Sequence, residues 1–521
     1  MWADLVLVDA NVLTMNLSQP TANAIAIKND KIVHVGTNTE VKAWIGKDTN
    51  VLSLKGKTVV PGFIDTHIHV ADFGRLLTWI DLTSVGSIKE MQETLDKRAQ
   101  KTSKGKWILG RGWNEKRFTE ERLPTRSDLD LVSPDNPVIF YHASGQLCVV
   151  NSKALEVAGV TKATRAPTGG VIGRNEKTGE LTGVLRENAT NLVWNAVPEP
   201  DEEELINAAG LAFEKMLEAG ITSVHWIALS SIEVAVIQKL HEQNRLPLRV
   251  YLIVPANFLE SIAGFKVKDD SSLKVGGGLI FSDGYLASRT AALFQPYSDN
   301  PRSSGKLLCT QEEMGKLAEE IVKAGLQLVI HAVGDRAIDA ALTTIETTGK
   351  GRRNRVEQAA VVNENLLERM KTLNVIVSVQ PRVVTSEFSV WSAIEHLGPE
   401  RAKWLFPVNT LLKEGVRVVG GSDCPMEPLN PLLGMQTAVT REVFPEERVS
   451  VDEALRMYTV DAAYASNEEN VKGSVETGKL ADLAVLSCDP CSVLPSEIES
   501  ISVEMTIVGG KVVFSKHGTS S

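Results

Sequence analysis

The sequence predicts an α/β protein built on a closed (β/α)8 barrel, with a small sheet domain made from both termini and a subdomain inserted after the first barrel strand. Three observations lead there. Eight apolar, β-rich segments recur through the middle of the chain, with helical segments between most of them. Both ends read as short strands joined by turns. One connection, from about residue 71 to 215, is far longer than the loop of a βα unit allows. The alternation by itself leaves an open doubly wound sheet as a second arrangement.

The elements follow in chain order. DLVLVDANVLTM, AIAIKNDKIVHVG and TNVLSLKGKTVV alternate apolar residues with turn residues and end near residue 57. The first barrel strand is placed at 58–65, followed by the insertion. The other seven are ITSVHW (221–226), LRVYLIV (248–254), GLIFSD (278–283), LQLVIHAV (326–333), RVEQAAVV (355–362), VIVSVQP (375–381) and VRVVGGSD (416–423). Between them, EEELINAAGLAFEKMLEAG and TQEEMGKLAEEIVKAG show helical spacing and end in Gly, a residue suited to the left-handed turn after a helix. LADLAVLSCDP and VEMTIVGGKVVF return to short strands. The expected domains are therefore 1–57 with 470–521, and 58–469 carrying the insertion.

Composition narrows the function. A chain of 521 residues with 43% hydrophobic and 23% charged residues has ordinary globular proportions. Its net charge of -10, with no Lys/Arg-rich block, argues against nucleic acid as a partner. The N-terminus carries Asp4 and Asp9 within its apolar run and does not read as a signal peptide. No uncharged apolar run is long enough to span a membrane. Five scattered cysteines fit a reducing, cytoplasmic setting. Cys488 and Cys491 form a single CxxC in a turn after a strand and, with no second pair, are not read as a metal or redox site. A small-molecule substrate is the expected partner; pairing into a homodimer stays open.

PGFIDTHIHV places His67 and His69 at strand spacing, where i and i+2 share a face. Active-site residues of such barrels sit at the C-terminal ends of strands. His67 and His69 end the first strand, His331 ends the fifth and Asp423 ends the eighth. Strands one and eight are neighbours in a closed barrel, and strand five faces them. Three imidazoles and a carboxylate therefore converge, a donor set suited to zinc, with iron or manganese as alternatives.

PGFIDTHIHV, HAVGDRAID, GSDCP, SDGYLASRTAALFQPYSD and GKLADLAVL together resemble the amidohydrolase superfamily, in its YtcJ-like (amidohydrolase family 3) branch, nearly end to end. The resemblance implies a metal-bearing TIM barrel with a composite β-sandwich, hydrolysing amide or other C–N bonds with a metal-activated water. It implies His67, His69 and His331 as metal ligands, and Asp423 as the carboxylate that both binds metal and takes the water's proton. Three positions depart from the pattern: Gln358 stands where strand six usually carries a ligand His, Leu279 where strand four can carry a bridging Lys, and Gln146 where the insertion commonly carries a His. Leu279 has no donor atom, and an amide oxygen from Gln358 is a weak partner for zinc. One divalent ion per chain is therefore expected. Gln358 retains an N–H donor for an oxyanion, and His225 stands ready to replace the missing imidazole. His142, His225, Asp283 and Trp113 are the candidate substrate contacts, with Arg289, Asp335, Arg336, Trp79 and Phe281 as weaker ones. A decarboxylase or isomerase, or a catalytically silent binding protein, are the competing readings of this fold.

Overall fold

The computed structural model describes residues 2–263, 271–385 and 393–518. The chain divides into two compact units, one of residues 1–73 with 209–521 and one of residues 74–208.

In the first unit, eight strands form one sheet in chain order: Phe63–Ile68, Ile221–Ile227, Arg249–Pro255, Leu273–Phe281, Gln327–Ala332, Arg355–Gln358, Ile376–Val379 and Arg417–Gly420. They are barrel strands one to eight, and each is parallel to its neighbour. Their side chains are almost wholly buried, as parallel strands covered on both faces require. The two edges meet just beyond strand eight. A parallel bridge joins Ile68 to Cys424. The Asp423 N–H donates to the His67 carbonyl at 2.8 Å, and the His69 N–H to the Cys424 carbonyl at 3.0 Å. The sheet is thus a nearly closed (β/α)8 barrel rather than an open doubly wound one.

Local sequence explains the helices around it. Gln311–Lys323 opens on a capping box in which Thr310 and Glu313 satisfy each other's backbone amides. Gly325 and Gly220 follow their helices at φ +76° and +78°, a conformation that favours glycine.

The first strand differs from expectation. The run at 58–65 is two strands, because Thr58–Pro61 pairs antiparallel with Leu483–Leu486 and only Phe63–Ile68 enters the barrel. Gly62 makes the switch. Its N–H donates to the Asp482 carbonyl at 2.9 Å, and a Cβ there would lie 2.2 Å from the Thr222 side chain. The barrel strand consequently starts later and carries His67 within it.

Strands from both termini form two further sheets. One orders Lys31–Gly36, Ala24–Lys28, Leu5–Val8 and Asn50–Ser53; the other joins Lys511–Ser515, Val503–Val508, Leu483–Leu486, Thr58–Pro61, Asn11–Leu13 and Thr21–Ala22. Leu7, Ile25 and Ile27 of the first lie in one buried apolar cluster with Val12, Val59, Leu483 and Ile507 of the second. The unit at 74–208 has its own six-stranded sheet and its own apolar clusters. Among the described residues, no helix is long and apolar enough to cross a membrane.

Gly62→Ala should lower stability by about 1–3 kcal/mol, the usual cost of overpacking a filled site. Urea denaturation measures it, and an unchanged midpoint would show that Thr222 yields without cost.

Candidate metal centre

Strand one reaches the site through a bulge. Asp65 pairs with Val224 and Ile68 with Trp226, so two residues of strand one, Thr66 and His67, oppose the single His225 of strand two. His67, within the bulge, is buried and His69, just beyond it, half-buried, their rings edge-on with centroids 5.5 Å apart. His67 Nε2 lies 3.5 Å and His69 Nε2 3.3 Å from the same oxygen, Asp423 Oδ1. Among the described residues this trio is the cluster of His, Cys, Asp and Glu groups that could hold a metal ion, with its ligand atoms all within 4.8 Å of one another.

The backbone is spent to aim these groups. Asp423 sits at φ +57°, and Gln358 and Ala359 at +69° and +46°, left-handed conformations that cost non-glycine residues on the order of 1–3 kcal/mol each. The Gln358 Nε2 donates to Asp423 Oδ2 at 3.2 Å, leaving Oδ1 to the imidazoles. Burial pushes the Asp423 carboxyl up, but the neighbouring His67 and His69 outweigh it and hold the group below its ordinary range, as an anion.

His67 is gripped from behind. Its Nδ1 lies 2.7 Å from Glu357 Oε2. Glu357 is wholly buried; burial raises its pKa, yet the Arg355 charge and His67 outweigh that and bring it below normal. Arg355, also wholly buried, places Nη2 2.6 Å from Glu357 Oε1 and donates to the Thr66 carbonyl at 2.9 Å.

His331 is not part of the tight trio. It ends strand five with its ring 5.4 Å from Phe281 and 5.5 Å from Tyr285. Neither of its buried nitrogens has a hydrogen-bond partner, and the same holds for His69 Nδ1. Burial, with the nearby His67, lowers its pKa to about 4, so the ring is a neutral donor that also feels the charges of Asp423 and Glu357.

These residues fit a divalent ion. Ligands about 2.0–2.1 Å from a tetrahedral zinc stand roughly 3.3 Å apart, which matches the 3.3 and 3.5 Å between the imidazoles and Asp423. The partnerless nitrogens of His331 are the further mark of an ion's place, since a buried polar atom without a partner costs about 1–3 kcal/mol. Leu279 lies in an apolar cluster with Ile227, Tyr251, Ile253 and Val329.

The remaining candidates have other surroundings. His225 accepts at Nδ1 from Arg355 Nη1, 2.7 Å away, and burial together with that guanidinium holds its pKa well below normal. Asp283 is occupied by backbone: the amides of Val333, Gly334 and Ala292 donate to it at 2.8–2.9 Å, tying the loop after strand four to the end of strand five. Arg289 pairs with Asp299 at 2.6 Å, and Asp335 accepts from the Phe294 amide at 2.9 Å. In the unit at 74–208, Trp113 is core, its Nε1 donating to the Phe140 carbonyl at 2.8 Å. His142 packs edge-on against Trp113 and pairs with Glu115 at 3.1 Å. Trp79 stacks on Tyr141, and Gln146 is exposed.

The sequence alone assigns no task to Arg355 or Glu357. The signal was there: two opposite charges at i and i+2 within a strand share a face, and charges buried in a barrel must be paired.

His67→Ala, His331→Ala and Asp423→Ala should each weaken zinc binding by more than the roughly 10–100-fold that follows loss of an outer-shell partner. Competition with a chromophoric chelator measures this, and wild-type affinity in all three would refute the site. The double variant Cys488→Ser/Cys491→Ser should keep wild-type zinc content by plasma mass spectrometry, both thiols being free and remote from the trio in sequence.

Comparison with known proteins agrees with this picture. A model of the amidohydrolase family matches residues 50–514. YtcJ of Bacillus subtilis, which carries an amidohydrolase designation, is 31% identical over 97% of this chain and 98% of its own. The N-substituted formamide deformylase of Arthrobacter pascens is 30% identical over 99% of both. Among solved structures, an uncharacterized metal-dependent hydrolase from Pyrococcus furiosus superposes with a TM-score of 0.80 at 29% identity, covering 94% of this chain and all of that one. The chain therefore belongs to the amidohydrolase family.

Proposed function

We propose that the protein is a metal-dependent hydrolase that cleaves the C–N bond of a small amide or cyclic amide at a single divalent ion, zinc by preference. The observation that carries this reading is the approach of His67 Nε2 and His69 Nε2 to one oxygen of Asp423. The family relationship supports hydrolysis, and the 30% identity to a formamide deformylase supports the C–N bond.

His67, His69, His331 and Asp423 would hold the ion. When bound, it supplies Lewis-acid polarisation and a water whose pKa is lowered to about 7. Asp423 Oδ1, anionic and turned toward the imidazoles, takes the proton of the attacking water and passes it to the leaving nitrogen. Gln358 keeps that oxygen in place by occupying Oδ2 with its amide N–H, a task distinct from the oxyanion contact its position first suggests. Phe281 and Tyr285, both close to the His331 ring, offer aromatic surface to a substrate. The apolar setting of Leu279 supports one ion rather than a bridged pair.

The test is metal content after dialysis, beside turnover of N-substituted formamides, simple amides and lactams. About one metal per chain is expected, with hydrolysis of at least one substrate class that chelation abolishes and zinc restores. Two fully occupied sites about 3.5 Å apart, the spacing of two-metal hydrolases, would overturn the single-ion reading. Absence of hydrolysis across the panel by a metal-loaded protein would overturn the reaction.

A further inference from the structure

We infer that Glu357 and Arg355 act as a charge-balanced brace inside the barrel that sets the tautomer and aim of His67, making both of them positioning residues for the metal. The inference rests on the metal-site reading above but concerns residues which that reading leaves without a task.

The geometry is a chain of contacts across the barrel. Glu357 Oε2 meets His67 Nδ1 at 2.7 Å. A carboxylate only accepts, so the proton resides on Nδ1, and Nε2 presents its lone pair toward Asp423. Arg355 reaches the other carboxylate oxygen at 2.6 Å. The same guanidinium donates to the Thr66 carbonyl at 2.9 Å, to Ser378 Oγ at 3.3 Å and to His225 Nδ1 at 2.7 Å. Strands one, two, six and seven are thereby tied to one cation. His225 enters the chain only as an acceptor, so its proton lies on Nε2 and its Nδ1 is closed to other chemistry.

Charge balance explains why both residues are present. Arg355 and Glu357 are each fully buried, where an ion without its partner is strongly unfavourable. A lone carboxylate behind His67 would add a negative charge within reach of Asp423. A lone guanidinium would oppose a metal cation. Together they cancel, and the site keeps the orienting hydrogen bond without a net charge behind it. An ion pair of purely structural use has no need to touch a ligand imidazole; this one does so at hydrogen-bond distance.

The experiment measures zinc affinity by chelator competition on the full chain, together with the visible absorption of the cobalt-loaded protein. Glu357→Gln preserves shape and should bind zinc about 10–100-fold more weakly, the range for lost outer partners, with an altered cobalt band. Glu357→Asp should recover part of the loss. Arg355→Gln should weaken zinc binding too, and Arg355→Gln/Glu357→Gln should be no worse than the weaker single variant, because the two act as one unit. Asp482→Asn is the control. It breaks another buried ion pair, with Arg249, whose Nη2 lies 2.8 Å from Asp482 Oδ1, and it should lower the melting temperature of the metal-free protein while leaving zinc affinity unchanged. Melting of each variant in chelator separates folding from binding. Wild-type zinc affinity and an unaltered cobalt band in Glu357→Gln would overturn the brace while leaving the hydrolase reading intact. A wild-type protein that binds no divalent metal would overturn both.

Discussion

The seam between the first and last barrel strands is the contact on which the rest depends. A parallel barrel is finished only when its edges find each other, and here they meet through the Asp423 amide on the His67 carbonyl. Asp65 reinforces the join: its Oδ1 accepts from the His67 amide at 3.1 Å and from the Ser422 amide at 3.0 Å. Burial raises its pKa to about 6 despite those donors, a mark of how little water reaches the seam. Gly421 permits the approach, since a Cβ there would lie 2.7 Å from the His67 nitrogen. The residues that close the barrel are thus the residues that gather the donors. A barrel left open at this edge would separate Asp423 from both imidazoles, so fold completion and site assembly are one event.

That economy has an energetic side. The seam puts a carboxylate, two imidazoles and, one layer beneath, a carboxylate and a guanidinium into an interior where unpaired charge is costly. The structure answers with pairing at each level. Asp423 faces His67 and His69, and Glu357 lies between His67 and Arg355. Around the trio, both ring nitrogens of His331 and Nδ1 of His69 are buried without hydrogen-bond partners. An ion bound among these groups would satisfy those buried nitrogens, which ties metal affinity to the desolvation of the donors themselves.

Much of this was legible in the sequence, for a physical reason. Parallel strands buried on both faces must be apolar runs, and the rule that chemistry lies at strand ends turned eight such runs into a short list of side chains. His67, His69 and Asp423 came together as that rule requires. What escaped was of two kinds. Gly62 divides an apolar run between two sheets, and no propensity distinguishes a strand that continues from one that changes partner. Asp283 reads as a substrate contact because it flanks the strand-four loop, and Trp113 because a large aromatic can line an apolar pocket; the structure gives Asp283 to three backbone amides and Trp113 to a core. A buried carboxylate that holds backbone and one that holds substrate look alike until the partners are seen.

The departures from the family pattern follow the same logic of partners. Leu279 is not a vacancy in a polar site, because Ile227, Tyr251, Ile253 and Val329 surround it with apolar contacts that a lysine would spoil. Gln358 is different. Its backbone keeps a left-handed φ of +69° at the end of strand six, and its side chain turns that placement into a hydrogen bond on Asp423. An imidazole there would compete for the cation; an amide instead fixes the carboxylate that faces it. The first change removes a donor and fills its space, whereas the second exchanges a ligand for an orienting contact. Asp423 is thereby held at Oδ2 by the amide and approached at Oδ1 by the imidazoles of strand one.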